Sequence, residues 1–184
     1  MERRSVSAIP AKTNNTALAG TDNGIDEIIA VEQTRQFVTF YAGKHFFGLP
    51  IDNVIEINRC LNVTPVPLAP DYVSGVVNLR GHILTAIHLG RRIGLENTNE
   101  PKEYNNVIVG RREEPISLLV EHIGDVISVP KAEIEPPPDL LAGINVKFVK
   151  EVCKLPGKLL VILDCNALES QGLSSRRRSS AGNI

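Results

Sequence analysis

The sequence predicts an all-β protein with a few short helices, built as two small barrels. Apolar residues make up 42% of the 184 residues but aromatic residues only 4%, so branched aliphatic side chains must fill the core. Between residues 36 and 169, apolar and polar residues alternate with a period of two, or form short apolar runs, and both patterns are typical of strands. An internal repeat indicates two similar units.

The first set of predicted strands lies between residues 36 and 89. Glycine and proline separate the apolar runs, and these residues interrupt strands and favour turns. The predicted strands are 36–41, 45–49, 54–59, 75–79 and 83–89, and a short helix is predicted near 89–94.

The second set repeats this organisation later in the chain. Its runs are again short and separated by turn-forming residues. The predicted strands are 106–111, 115–120, 125–130, 144–152 and 158–165, with a short helix near 166–170. Each set therefore contains five strands followed by one helical turn or two.

The residues of the first set can be aligned with those of the second. Residues 47–57 align with 116–126, 70–76 with 138–144, and 81–89 with 157–165. The offset rises from 68 to 76, which predicts an eight-residue insertion between Ile144 and Gly157. Two five-stranded units of this size suggest closed barrels, which have no free sheet edges. Each unit alone would be marginally stable, so the two are expected to share an apolar core.

Composition divides the chain into three parts. Residues 1–35 are predicted to be a flexible arm and 170–184 a disordered tail, because neither contains enough apolar surface to fold. The folded domain is 36–169, with lobes of about 36–95 and 104–169 and with strand exchange between them allowed. No secretory signal or apolar run of about 20 residues is present, and three scattered cysteines form no motif. These features predict a cytoplasmic protein without direct membrane insertion.

No catalytic or cofactor site can be assembled from the sequence. The four histidines have no metal-ligand spacing, and the cysteines have no partner base. The segment 75–81 matches neither the Walker nor the dinucleotide pattern. We therefore predict a protein that is not an enzyme and has no cofactor or metal. A net charge of −1, few aromatic residues and a mildly acidic folded segment also argue against a nucleic-acid-binding barrel, the alternative from another class.

One arginine stands out against the repeat. Arg80 lies in the segment 75–81, and the aligned part of the second set has no arginine there. The internal symmetry does not require this residue, so we predict that it has a surface function.

Several motifs of the chain resemble those of the CheW coupling proteins of bacterial chemotaxis. They are GVVNLRG at 75–81 followed by Ile83-Leu84 and Ile87-x-Leu89, Val54-x-Glu56 upstream, and GKLLVILD at 157–164. The resemblance covers residues 36–169 in the family's order. It implies two five-stranded SH3-like barrels around a shared core.

The resemblance also implies a function and a site. It implies a non-enzymatic adaptor between the cytoplasmic tip of methyl-accepting chemoreceptors and the regulatory domain of a CheA-type histidine kinase, with assembly into rings or arrays at the inner membrane. The residues that match family positions tied to receptor or kinase contact are Val54, Glu56, Gly75, Arg80 and Gly81. An ion pair between Glu56 and Arg80, across neighbouring strands, is expected.

Two positions depart from the family pattern. Where the family has proline and then aspartate after the NLRG turn, this chain has Thr85 and His88, although the second repeat keeps Asp164 at the position that matches His88. These departures leave the fold prediction intact. They leave open an adaptor of a pilus or surface-motility system.

Overall fold

The computed structural model describes residues 33–96, 103–111, 113–141 and 143–170. This part of the chain contains twelve strands and two α-helices. The strands are β1 (Thr34–Ala42), β2 (His45–Pro50), β3 (Val54–Arg59), β4 (Val63–Thr64), β5 (Val73–Leu79), β6 (His82–His88), β7 (Asn105–Val109), β8 (Ile116–Val120), β9 (His122–Pro130), β10 (Ile134–Glu135), β11 (Val149–Leu155) and β12 (Lys158–Leu163). The helices are α1 (Leu89–Ile93) and α2 (Cys165–Glu169), and 3₁₀ turns occur at Ile51–Asn53, Lys131–Glu133 and Val146–Phe148.

The all-β prediction is confirmed, and the strands form two six-stranded sheets. One has the order β3-β7-β8-β6-β5-β4 and is called the first barrel; the other has the order β10-β11-β12-β2-β1-β9 and is called the second barrel. The additional strand in each half is β4 or β10, and each contains only two residues. A two-residue strand is too short to produce an alternating pattern, which explains why five strands per set were predicted.

Each sheet combines strands from both halves of the chain. β1 and β2 join the sheet of β9–β12, while β7 and β8 join that of β3–β6. Each exchanged hairpin is held on both sides: β1–β2 pairs with β9 (antiparallel) and β12 (parallel), and β7–β8 pairs with β3 (antiparallel) and β6 (parallel). The sheets therefore do not coincide with the sequence segments 36–95 and 104–169. The predicted arm and tail lie outside the described residues, apart from 33–35 and Ser170, and β1 already begins at Thr34.

The internal repeat is visible in the strand registers. In the β1–β2 hairpin Phe40 pairs with Phe47, and 69 residues later Val109 pairs with Ile116 in the β7–β8 hairpin. The hairpins β5–β6 and β11–β12 match at an offset of 76, and each has a register shift at its start, between Val73 and Gly75 or between Val149 and Glu151.

This register corrects two details of the sequence alignment. The predicted strand 144–152 begins only at Val149, because Asn145 caps a 3₁₀ turn at Val146–Phe148 by accepting a hydrogen bond from the Lys147 N–H. The extra residues of the second half therefore precede β11 rather than interrupt it. As a result, the structural counterpart of Gly75 is Glu151, not Gly143.

The predicted shared core is present. Along β12, Leu160 and Ile162 point into the second barrel, whereas Val161 and Leu163 point into the cluster between the two sheets. Burial of both faces explains why β2, β8 and β12 are continuous apolar runs instead of alternating strands. A third cluster, around Leu84 and Ile108, fills the first barrel.

The short helices α1 and α2 pack where the two halves meet. His88 Nδ1 accepts a hydrogen bond from the Arg91 N–H at the start of α1, and Asp164 Oδ1 accepts hydrogen bonds from the Asn166 and Ala167 N–H groups at the start of α2. His88 and Asp164 therefore serve the same capping role. This shared role explains how histidine can replace the aspartate that the family pattern has at this position.

Candidate functional site

The turn that carries the resemblance has an unusual backbone. Leu79 pairs with His82 in the β5–β6 hairpin, so Arg80 and Gly81 alone form the turn. Their φ angles are 51° and 90°, and two positive φ angles define the type I′ turn that suits a two-residue hairpin. The Gly81 N–H donates a hydrogen bond to Asn78 Oδ1 at 2.8 Å. Asparagine or glycine is the usual residue where Arg80 stands, so local folding does not select the arginine.

The structure forms the expected ion pair. Arg80 Nη2 lies 2.9 Å from Glu56 Oε1, and the side chains are 78% and 24% exposed respectively. The expectation that the pair crosses neighbouring strands is wrong, because β7, β8 and β6 lie between β3 and β5 in the sheet order. The two residues meet because the sheet curls, which brings β3 opposite the β5–β6 turn. The pair therefore spans the open end of the first barrel.

A groove occupies this end of the first barrel. Its volume is about 890 Å³, and the start of β3, the β5–β6 turn and the β7–β8 turn surround it. Val54, Glu56 and Arg80, three of the five predicted site residues, line this groove, and so does the departing residue Thr85.

The two predicted glycines lie outside the lining of the groove and have conformational roles. A Cβ on Gly75, whose φ is +148°, would lie 2.1 Å from the Thr64 carbonyl oxygen in β4. Glycine is therefore required for β4 to pair closely with β5. No atom lies within 4 Å of a Cβ added to Gly81, so only its φ of +90° favours glycine. Direct partner contact at either glycine stays a prediction.

The structure adds groove residues that the sequence did not single out. Ile55 and Ile83 are 46% and 64% exposed, which is unusual for large aliphatic side chains on strands. Asp52, Glu113 and Glu114 add acidic groups to the lining. A signal was present in the sequence, because β3 has isoleucine at the positions that face solvent, where a polar residue is expected.

A smaller pocket of about 360 Å³ lies at the other end of β3 and includes Cys60, Glu103 and Tyr104. Cys60 Sγ donates to Glu103 Oε2 at 3.0 Å, and this hydrogen bond is the main cause that raises the pKa of the thiol. A raised pKa disfavours the nucleophilic thiolate. Among the described residues, no group of three or more His, Cys, Asp or Glu side chains is placed to hold a metal ion.

The sequence model of the CheW-like domain matches residues 36–171, which include the groove and both barrels. The chain belongs to the CheW-like family.

Individual members of the family are similar over most of their length. The chain is 34% identical to the chemotaxis protein CheW of Treponema pallidum (strain Nichols), over 73% of this chain and 82% of that protein. It is 30% identical to the CheW of Rhizobium meliloti (strain 1021), over 73% of this chain and 86% of that protein.

The fold is also similar to a solved structure of the family. The crystal structure of the scaffolding protein TtCheW from Thermoanaerobacter tengcongensis matches with a TM-score of 0.68 and 29% sequence identity. The match covers 75% of this chain and 94% of TtCheW. No helix in the described residues is long and apolar enough to cross a membrane.

Proposed function

We propose that this CheW-like chain is a non-enzymatic adaptor of chemotaxis signalling that couples methyl-accepting receptors to a CheA-type histidine kinase in the cytoplasm. Family membership and the names of the similar proteins support this role. The observation that carries the proposed site is the groove, where the Glu56–Arg80 pair lies beside exposed isoleucines.

The groove favours a helical occupant, which we propose is the cytoplasmic tip of the receptor. Of the strands around the groove, β7 pairs along its length with β3 and β8, whereas β6 pairs with β8 only over 85–88. An added strand would therefore find only short, separate runs of free backbone groups, along the edge strand β3 and along 82–84 of β6. A helix satisfies its own backbone and can bury an apolar stripe against Val54, Ile55 and Ile83.

The Glu56–Arg80 pair gives this apolar surface a fixed polar contact. As an exposed pair it contributes only about 0.2–1 kcal/mol to folding. A bound partner removes water from the pair, so loss of one charge then costs roughly 2–5 kcal/mol of binding. Gly81 supports the site by shaping the turn, and Gly75 by allowing β4 to support β5.

Signal transfer follows from assembly and differential binding. We propose that the kinase regulatory domain binds elsewhere on the two barrels, so that one chain holds receptor and kinase together. In a ring or array, each weak contact is reinforced by high effective concentration. A receptor state that binds the groove with a different geometry shifts the kinase only if the contacts differ between the two states.

The alternative functions are less well supported. The relatives compared above are named as chemotaxis or scaffolding proteins, which does not favour a pilus or surface-motility system. The lining of the groove contains four acidic residues, Asp52, Glu56, Glu113 and Glu114, and one arginine, so it would repel a nucleic-acid backbone.

The proposed site is tested by Arg80→Asn. Asparagine tolerates a positive φ, so the turn and the fold should be retained while the guanidinium is lost. We expect binding of the soluble cytoplasmic fragment of a methyl-accepting receptor, measured by calorimetry, to weaken tenfold or more. Arg59→Asn, which removes an equal charge at the far end of β3, is the matched control and should bind normally.

A charge reversal separates the pair from the arginine itself. If binding requires the ion pair and not the arginine itself, Glu56→Arg combined with Arg80→Glu should bind the receptor fragment better than either single variant. If Arg80→Asn binds like the unchanged protein, the groove is not the receptor site.

A further inference from the structure

The internal repeat provides a second barrel end that can be compared with the groove residue by residue. At the offset of 69, Tyr41 corresponds to Gly110 and Phe46 to Pro115, one pair outward from the matched pairs Phe40–Phe47 and Val109–Ile116. At the offset of 76, Lys158 corresponds to His82. The two ends have the same strand arrangement, and they differ in the side chains placed there.

In the second barrel, side chains close this end. Phe46 is buried in the barrel core, and the Tyr41 ring packs on it with the centroids 4.9 Å apart. Lys158 covers both rings: its Nζ lies 3.8 Å from the Phe46 centroid and 3.4 Å from Tyr41 Oη. An ammonium group this close to an aromatic face is a favourable cation–π contact.

In the first barrel, the corresponding positions have little or no side chain. Gly110 has a φ of +105°, so a tyrosine at this position would strain the backbone, and its Cβ would displace the Glu169 carboxylate, whose Oε1 lies 2.8 Å away. Pro115 replaces Phe46 and lines the groove. Deeper in the barrel, Asn106 occupies the position of Phe37, so a second large ring is missing.

We infer that Pro115, together with Gly110, determines partner access to the groove. These two residues leave the end of the first barrel open, whereas Phe46 and Tyr41 close the equivalent end of the second barrel. This inference rests on the proposed function, because the occupant of the open end is the receptor helix proposed above. It assigns a specificity-determining role to two lining residues through the side-chain volume that they lack.

The test moves the closure from the second barrel into the first. His82→Lys with Pro115→Phe recreates the Lys158–Phe46 pair in an equivalent strand arrangement. We expect the full-length double variant to keep its thermal midpoint and circular dichroism spectrum and to bind the receptor fragment at least tenfold more weakly. His82→Lys alone adds the charge to the groove lining without filling the groove, so the double variant should bind at least tenfold more weakly than this single variant as well.

The outcomes separate this inference from the proposed function. If the folded double variant binds normally while Arg80→Asn does not, the groove is the site but its openness at Pro115 does not control access, and the inference is wrong. If both variants bind normally, the proposed site is wrong as well. If the double variant does not fold, Ile83→Trp fills the groove from an exposed position, and normal binding by that variant overturns the inference.

Discussion

Gly75 provides a sharp test of how the structure supports the site. In Gly75→Ala the new Cβ would lie 2.1 Å from the Thr64 carbonyl oxygen and 2.7 Å from its carbonyl carbon, and both are backbone atoms that cannot rotate away. Displacing packed structure of this kind costs about 1–3 kcal/mol. A non-glycine residue at a φ of +148° adds about 1–3 kcal/mol of backbone strain. The free energy of unfolding should therefore fall by roughly 2–6 kcal/mol.

The assay is thermal unfolding of Gly75→Ala beside Gly81→Ala. For a domain of this size each kcal/mol lowers the midpoint by about 2–4 °C, so Gly75→Ala should lose roughly 4–24 °C. Gly81 has nothing within 4 Å of an added Cβ and pays only backbone strain, so its variant should lose a few degrees. Equal midpoints for the two variants would refute the close approach of β4 to β5. Below its midpoint, folded Gly75→Ala should still bind the receptor fragment; a loss of binding without a loss of stability would make Gly75 a contact residue.

Three further outcomes are expected. Burial is the main cause that lowers the pKa of His88 below 6.5, and the positive charge of Arg91 lowers it further. The unfolded chain therefore binds this proton more readily than the folded protein does. The contribution of His88 to stability should be complete above about pH 6.5 and should be lost as the pH falls toward the pKa in the folded protein. His88→Asn keeps a capping side chain and should reduce the fall in thermal midpoint between pH 7.5 and pH 5; an unchanged fall would contradict this assignment. Burial raises the pKa of Cys165 to about 12, so alkylation of the native protein at pH 8, read by mass spectrometry, should modify exposed Cys60 and leave Cys165 unmodified. Incubation with labelled ATP and the partner kinase should leave no stable label on this chain, and stable label would contradict the adaptor role.

The fold class could be predicted because the strand pattern and the internal repeat are both visible in the order of residues along the chain. Two features could not be read from it. The exchange of β1–β2 with β7–β8 depends on parallel and antiparallel pairing between strands that are distant in sequence, and no periodicity reports which strands pair. The start of β11 was predicted at Ile144 instead of Val149 because the two residues look alike as apolar residues, whereas the Asn145 cap decides where β11 begins.

The site was partly predictable for a similar reason. Arg80 was recognisable because the repeat lacks it, and Glu56 followed from the resemblance. Their contact depends on the curvature of the sheet, which places β3 opposite a turn four strands away in the sheet order. Pro115 and Gly110 could not be recognised from sequence, because their contribution is the absence of the side chains that Phe46 and Tyr41 provide elsewhere. Such a role becomes visible only when the two barrels are compared in three dimensions.

The most direct test of the adaptor role is a bridging measurement with purified components. Vesicles that contain a methyl-accepting receptor are mixed with the CheA-type kinase and with this chain, and the kinase that sediments with the vesicles is quantified. We expect kinase to sediment well above background only when the unchanged protein or Arg59→Asn is present, and to fall at least tenfold with Arg80→Asn. Equal sedimentation of the kinase with and without this chain would contradict the coupling role.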